Sequence, residues 1–301
     1  MSGREAPVNL DRLEVRYGAV RAVRQVTLEV AAGTVYALLG RNGAGKSSLI
    51  RCLLGQRRAD SGQAFLFGAD VWDHRRAAML RVGVVPEEPD APPMAPVARL
   101  VAFCAALYPG WDGASVEERL RRFAIPRAAT FGRLSKGQKG QVMLTLALGH
   151  RPELLVLDDP TLGLDVVARR SLYEEIVGEL ADRGTTVLLT THDLAGVEGI
   201  ADRVGILADG ALVLDEELEG LKGRFRRLRF TGRGEEPRLD ALGPVAVSRS
   251  EWGVAAVVGR WDDGAWAHWR QQGGSEEAVV EAMSLEEIFT AVVGEQTGGG
   301  R

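Results

Sequence analysis

The sequence predicts an α/β chain: a core of mostly parallel strands, an antiparallel β subdomain, a helical insertion and a small C-terminal α+β domain. Three observations carry this. The apolar runs Val35–Leu39 and Leu154–Leu157 read as strands buried on both faces. Helical patterns alternate with such runs, as βα units do. Composition shifts at residue 86 and again near 222, which puts an insertion at 87–150 and domains at 1–222 and 223–301. At 301 residues, 46% hydrophobic and 26% charged, the chain has the make-up of one large or two modest globular domains.

Val8–Arg16 and Ala22–Val30 read as strands around a bend at Tyr17-Gly18. A tyrosine at such a bend either packs locally or offers its ring to a purine, and both readings stand at this point. Next comes Gly40-Arg41-Asn42-Gly43-Ala44-Gly45-Lys46-Ser47, which fits the phosphate-binding loop G-x-x-x-x-G-K-[ST]. The motif has the strand before it and the helix after it that it requires. Its glycines let backbone N–H groups turn around a phosphate, and the helix aims its positive end at the same anion. Lys46 is placed to reach β- and γ-phosphates and the Ser47 hydroxyl to ligate Mg²⁺. The core is therefore predicted to be a P-loop NTPase.

The loop helix ends near Gly55, Asp60-Ser61-Gly62 is a turn, and Gln63–Phe67 and Arg81–Val85 are strands. Residues 86–96 hold five of the twelve prolines, which excludes a helix or central strand there. Helical patterns follow over 97–108, 115–124 and 139–150, the first two separated at Pro109-Gly110-Trp111-Asp112. After Leu154–Leu157 come Asp158-Asp159, a helix over 166–182 stopped by Gly184, and a strand Thr186–Thr190 ending in Thr191-His192-Asp193. Strands at 203–207 and 211–214 flank Asp209-Gly210.

The tail carries six basic residues between Lys222 and Arg233 and four of six tryptophans, Trp252, Trp261, Trp266 and Trp269. Strands are expected over 225–230 and 254–261, a helix over 276–293, and a frayed end at 298–300. The basic and aromatic mix reads as solvated strand faces over an aromatic core rather than as an RNA surface. A net charge of −4 gives no bulk attraction for nucleic acid or acidic lipid, so no nucleic-acid partner is expected. Cys52 and Cys104 read as buried free thiols of a reducing compartment. The first ten residues lack a signal-peptide core, and no apolar run approaches the ~18 residues of a membrane span, so a cytoplasmic protein is expected.

A phosphate loop needs a second metal ligand on a neighbouring strand, and Leu-Leu-Val-Leu-Asp ending at Asp158 supplies a Walker B strand about 110 residues downstream. Between the two lies Leu134-Ser135-Lys136-Gly137-Gln138. With Tyr17, Pro86-Glu87, Gly163-Leu164-Asp165 and His192, the ordered set resembles the ATP-binding-cassette transporter ATPases. That resemblance implies ATP and Mg²⁺ as cofactors. Tyr17 would stack on adenine, and Gly40, Arg41, Asn42, Gly43, Ala44, Gly45, Lys46, Ser47 and Ser48 would hold the phosphates. Ser47, Asp158 and Glu87 would hold the metal, with Asp159, His192 and Glu87 in catalysis. Ser135, Gly137, Gln138 and Asp165 would complete the site of a second copy in a head-to-tail dimer.

The resemblance further implies that the insertion docks a separately encoded membrane permease of export type. The dimer would be homomeric or formed with another cassette subunit, peripheral on the inner membrane face. Three positions depart from the family pattern: Lys136 stands for a glycine, Glu87 for a glutamine, and Asp159 for the catalytic glutamate. A carboxylate drawn back by one methylene is expected to slow hydrolysis, since ~1 Å of misplacement can cost about a hundredfold. Two alternatives remain open: a hydrolysis-poor ATP clamp paired with an active partner, and a soluble cassette ATPase outside transport.

Overall fold

The computed structural model describes residues 6–161, 164–231, 239–250, 253–271 and 278–298, with side chains described to 294. Gly163, Trp252, Arg233, residues 276–277 and the end from 299 lie outside the described residues. The chain divides into two compact units, 1–215 and 216–301. The position expected for the boundary, 222, falls inside a helix, Leu218–Arg224.

Unit one opens with β1 (Val8–Tyr17), β2 (Val20–Val30) and β3 (Val35–Leu39), followed by helix α1 (Lys46–Leu53). Then come β4 (Ser61–Leu66), β5 (Ala69–Asp70), α2 (Val71–Met79) and β6 (Val82–Val85). β2-β1-β4-β5 form an antiparallel sheet. Its inward residues Leu10, Leu13, Val15, Val23 and Val26 share one core with Leu49 and Leu53 of α1 and with Leu38 of β3.

The helix α2 has no counterpart in the sequence reading. Only Val71 and Ala78 on it are buried, so there is no apolar stripe to read. It forms because the Asp70 carboxylate caps its first turn, accepting from the N–H groups of Trp72 at 2.8 Å and Asp73 at 3.3 Å.

The insertion supplies α3 (Val97–Leu107), α4 (Gly113–Arg122) and α5 (Lys136–Leu148). They close over their own core of Val97, Val101, Val116, Leu120, Phe131 and Val142. The chain then returns as β7 (Leu154–Asp158), α6 (Val166–Arg183), β8 (Thr186–Thr191), a short α7 (Leu194–Glu198), β9 (Arg203–Ala208) and β10 (Ala211–Glu217). The six-stranded sheet runs β10-β9-β3-β8-β7-β6, and its pairs from β9 to β6 are parallel. Every residue of β3 and β8 is buried, as expected of strands covered on both faces. Cys52 is buried and Cys104 half-buried, both free. Among the described residues no helix is long and apolar enough to cross a membrane.

Unit two holds α8 (Leu218–Arg224), β11 (Arg226–Thr231), β12 (Pro244–Ser250), β13 (Gly253–Val258), α9 (Asp263–Gln271), β14 (Ala278–Ala282) and α10 (Leu285–Gly298). Its sheet order, β12-β13-β11-β14, all antiparallel, is that of a split βαβ motif. The expected helix over 276–293 is corrected here: 278–282 is a strand. Its valines pair across to β11, Val280 opposite Leu228 and Val279 opposite Arg229, and the helix begins only at Leu285. Trp266 and Trp269 stack with centroids 5.0 Å apart, over a core that includes Leu228 and Phe230. Arg227 pairs with Glu287 at 2.6 Å and Arg229 with Glu281 at 3.3 Å, so acids neutralise part of the basic run.

A buried ion cluster ties the insertion to the sheet's helices. Arg119 of α4 donates from Nε to Glu175 of α6 at 3.0 Å and from Nη2 to Glu179, while Arg122 also reaches Glu175. Truncating Arg119 leaves Glu175 with Arg122 alone and Glu179 with only Arg183, 3.7 Å away. Arg119→Ala should therefore cost about 3 kcal/mol, the scale of a broken buried pair. Denaturant unfolding of the full chain checks this; an unchanged midpoint would show that Arg122 and Arg183 suffice.

Candidate functional site

The loop between β3 and α1 is shaped by close backbone approaches. A Cβ on Gly40 would lie 2.6 Å from the Leu207 carbonyl oxygen, and one on Gly45 would run into the Ala22 carbonyl. Gly45 also holds φ at 108°, which L side chains rarely adopt. Lys46 is buried, and its Nζ donates to the carbonyls of Gly40 at 2.7 Å and Arg41 at 3.3 Å, folding the side chain back over the loop. Burial lowers the Lys46 pKa from its ordinary value, and the carboxylates of Asp159, Asp158 and Glu87 oppose that shift. These groups share a cleft of roughly 300 Å³ lined by Tyr17, Ala22, residues 42–48, Glu87, Asp158 and Asp159.

The two acids are held from the neighbouring strand. Asp158 ends β7 in register with Thr190 of β8. The buried Thr190 hydroxyl donates to Asp158 Oδ1 at 2.7 Å. Thr190 also accepts the Asp159 N–H, at 3.0 Å on both its carbonyl and its Oγ1. Asp159 sits in the left-handed region with φ 45°, which turns its carboxylate toward His192. His192 Nδ1 lies 2.9 and 2.8 Å from the two Asp159 oxygens. A carboxylate on Nδ1 fixes the proton there, so that Nδ1 donates and Nε2 is the free nitrogen. Thr190 and Ala22 went unread in the sequence. Thr190's position at the end of a buried strand, one residue short of Thr191-His192, was the signal available.

The remaining predicted residues gather at a second place. Ser135 caps α5: its Oγ accepts from Gln138 N at 3.2 Å, and Gln138 Oε1 accepts from Ser135 N at 3.1 Å. This is a capping box, and it assigns a local structural role to both side chains. A Cβ on Gly137 would lie 3.6 Å from Leu164 Cδ2 and 3.7 Å from Ala168 Cβ, so the 135–138 turn packs on the start of α6. Asp165 caps α6, its Oδ1 accepting from Ala168 N at 2.8 Å. The structure thus brings Tyr17, residues 42–48 of the loop and α1, Glu87, Asp158 and Asp159 to one cleft, with His192 joined to it through Asp159. Ser135, Gly137, Gln138 and Asp165 form a separate patch of two capped helix starts.

A family profile described as ABC transporter matches residues 23–162. A fluoroquinolones export ATP-binding protein of Mycobacterium tuberculosis is 33% identical over 295 residues, which is 94% of this chain and 92% of that one. This chain belongs to the ABC transporter ATP-binding proteins. The ABC transporter ATP-binding protein YtrB of Bacillus subtilis is 30% identical over 223 residues, covering 74% of this chain and 76% of its own. A solved structure of an ATP-binding subunit of an ABC transporter superposes with a TM-score of 0.66 at 29% identity, covering 72% of this chain and 92% of that one. In this ABC ATP-binding protein Lys46 is the buried cation of the glycine-rich loop and lines the cleft. Lys46→Ala should reduce ATP affinity by at least about a hundredfold, the loss of a charge-assisted contact beside three acids, with the fold intact. Calorimetric titration with MgATP reads this directly; unchanged affinity would mean the loop does not hold the phosphates.

Proposed function

We propose that this chain is the ATP-hydrolysing subunit of an ABC exporter and works as an ATP-sandwich dimer. The observation that carries the reading is the cleft in which buried Lys46, Asp158 and Asp159 converge, with His192 bonded to Asp159. ATP phosphates would lie on the loop N–H groups and Lys46, with the adenine on Tyr17. The oxygen donors Ser47, Asp158 and Glu87 fit Mg²⁺, which when bound neutralises phosphate charge. Asp159 would polarise the attacking water, and its bond from His192 keeps the carboxylate oriented. His192 Nε2 would face the γ-phosphate.

The separate Ser135/Asp165 patch supports the dimer, since it presents helix N-termini that no group of the same cleft uses. Beside it, Val166 and Val167 are 79% and 75% exposed, apolar surface that a second cassette would cover. That second cassette is another copy or a related subunit. Met94, Phe103 and Leu107 of the insertion are likewise exposed and suit a membrane permease, which would hold the chain at the inner membrane face. Export is supported by the name of the M. tuberculosis relative. The acidic balance argues against a nucleic-acid partner.

A second reading, a slow ATP clamp, is favoured by one feature. Asp159 is a methylene shorter than the family's glutamate, and both its oxygens already face His192. Steady-state phosphate release separates the readings. Under the first, Asp159→Asn lowers kcat about a hundredfold or more, and Asp159→Glu raises it, with ATP affinity similar in both. Equal rates for wild type and Asp159→Asn would remove Asp159 as the base and leave the clamp.

The dimer has its own test. Ser135→Arg should abolish ATP-driven dimerisation of a hydrolysis-impaired variant in light scattering. ATP-driven dimers that persist in that variant would exclude the 135–138 turn from the interface.

A further inference from the structure

Tyr17 ends β1, lines the cleft and is 42% exposed. Its hydroxyl lies 3.4 Å from Ser48 Oγ on α1, which pins the phenol to the phosphate-loop helix. One face of its ring is already taken. The guanidinium carbon of Arg57 stands 4.2 Å from the ring centroid. We propose that Arg57 is a positioning residue for the nucleotide base: it backs Tyr17 and sets the ring as a platform whose other face receives the purine. The proposal rests on the reading of Tyr17 as the stacking residue.

Arg57 is held where it stands by contacts that converge on the backbone of Arg16. Its Nη2 donates to Asp60 Oδ2 at 3.2 Å and to the carbonyl of Arg16, the residue before Tyr17. Asp60 Oδ2 also accepts from Arg16 N at 2.8 Å, so carboxylate, guanidinium and strand end form one ring of bonds. The Arg16 N–H, with Arg57 adding to it, holds the Asp60 carboxyl below the usual carboxylate range, so the anchor is ionised at neutral pH. On its other side Arg57 lines a different cavity, with Cys52, Asp70 and Trp72. Its Nε is buried with no hydrogen-bond partner. The side chain thus forgoes a hydrogen bond in a pose that keeps its guanidinium carbon over the ring.

Three physical consequences follow from that pose. A guanidinium on a tyrosine face is attracted by the ring quadrupole. It fixes the ring before ATP arrives, so less freedom is lost on binding. And it withdraws density from the opposite face, which favours stacking of an electron-rich purine.

Calorimetric titration of the full chain with MgATP and with Mg-tripolyphosphate, which has no base, tests this in wild type, Arg57→Ala, Tyr17→Ala and the double variant. Tyr17→Ala should weaken ATP about 10- to 100-fold, the scale of a lost base–aromatic stack. Arg57→Ala should weaken ATP about three- to fivefold, leave tripolyphosphate unchanged, and add nothing in the Tyr17→Ala background. Arg57→Lys, which keeps the charge but not the plane, should fall between. Tyr17→Ala with wild-type ATP affinity would sink the stacking reading itself. Loss in Tyr17→Ala with none in Arg57→Ala would overturn only the role of Arg57. Equal losses of ATP and tripolyphosphate in Arg57→Ala, or an additive loss in the double variant, would reduce Arg57 to a structural residue. Tighter ATP binding in Arg57→Ala would mean the guanidinium occupies the place of the base.

Discussion

A lysine ammonium buried beneath a loop of backbone N–H groups, and faced by three carboxylates, is the constraint around which the cassette is built. Lys46 bonds the carbonyls of Gly40 and Arg41, which keeps the loop wound in the form its glycines allow. Burial works against its charge, and Asp159, Asp158 and Glu87 work for it. One cation against those three acids leaves these four groups net negative. A polyphosphate alone would meet that charge unfavourably at short range, in a setting where little water screens it. A divalent cation resolves the imbalance, and Ser47, Asp158 and Glu87 have the oxygen donors to carry one. On the proposed function, metal dependence would come from charge balance at the loop as much as from the chemistry of hydrolysis.

The same logic explains the sheet around it. Parallel strands put the ends of β3, β7 and β8 on one edge, so the loop, the acids and His192 arrive together from distant sequence positions. Thr190 is the joint between them. Its hydroxyl donates to Asp158 while its carbonyl and Oγ1 accept the next peptide N–H. That grip accompanies the left-handed backbone of Asp159 and its turn toward His192. A non-glycine residue in that backbone region is strained, and the bonds from Thr190 and His192 over-determine it.

How legible this was depended on how local each signal is. The loop was readable because its glycines, lysine and flanking elements lie within about twenty consecutive residues, and each glycine answers a backbone need now visible at Gly40 and Gly45. Asp158 was readable because a continuous apolar run announces a buried strand. Thr190 was not, since its value comes from registry across the sheet, 32 residues away in sequence. The capping box at Ser135 and Gln138 follows the S-x-x-Q pattern and was legible in the sequence beside the role that the family resemblance implies for both residues. Helix α2 escaped because it buries only two side chains, and β14 was absorbed into the helix after it because five residues are too few to show a period. The backing of Tyr17 by Arg57, forty residues apart, belongs to the same class of facts that only assembly reveals.

On the proposed function, this cleft addresses the β- and γ-phosphates of a metal-bound nucleotide. Titration of the full chain with ATP, ADP and AMP, each with Mg²⁺ and again with the metal chelated, tests it most directly. A single site is expected whose affinity falls with each phosphate removed, most of all at AMP, and which weakens for ATP when the metal is withdrawn. AMP binding as tightly as ATP would contradict it, because the loop, Lys46 and the acids would then have no part in recognition.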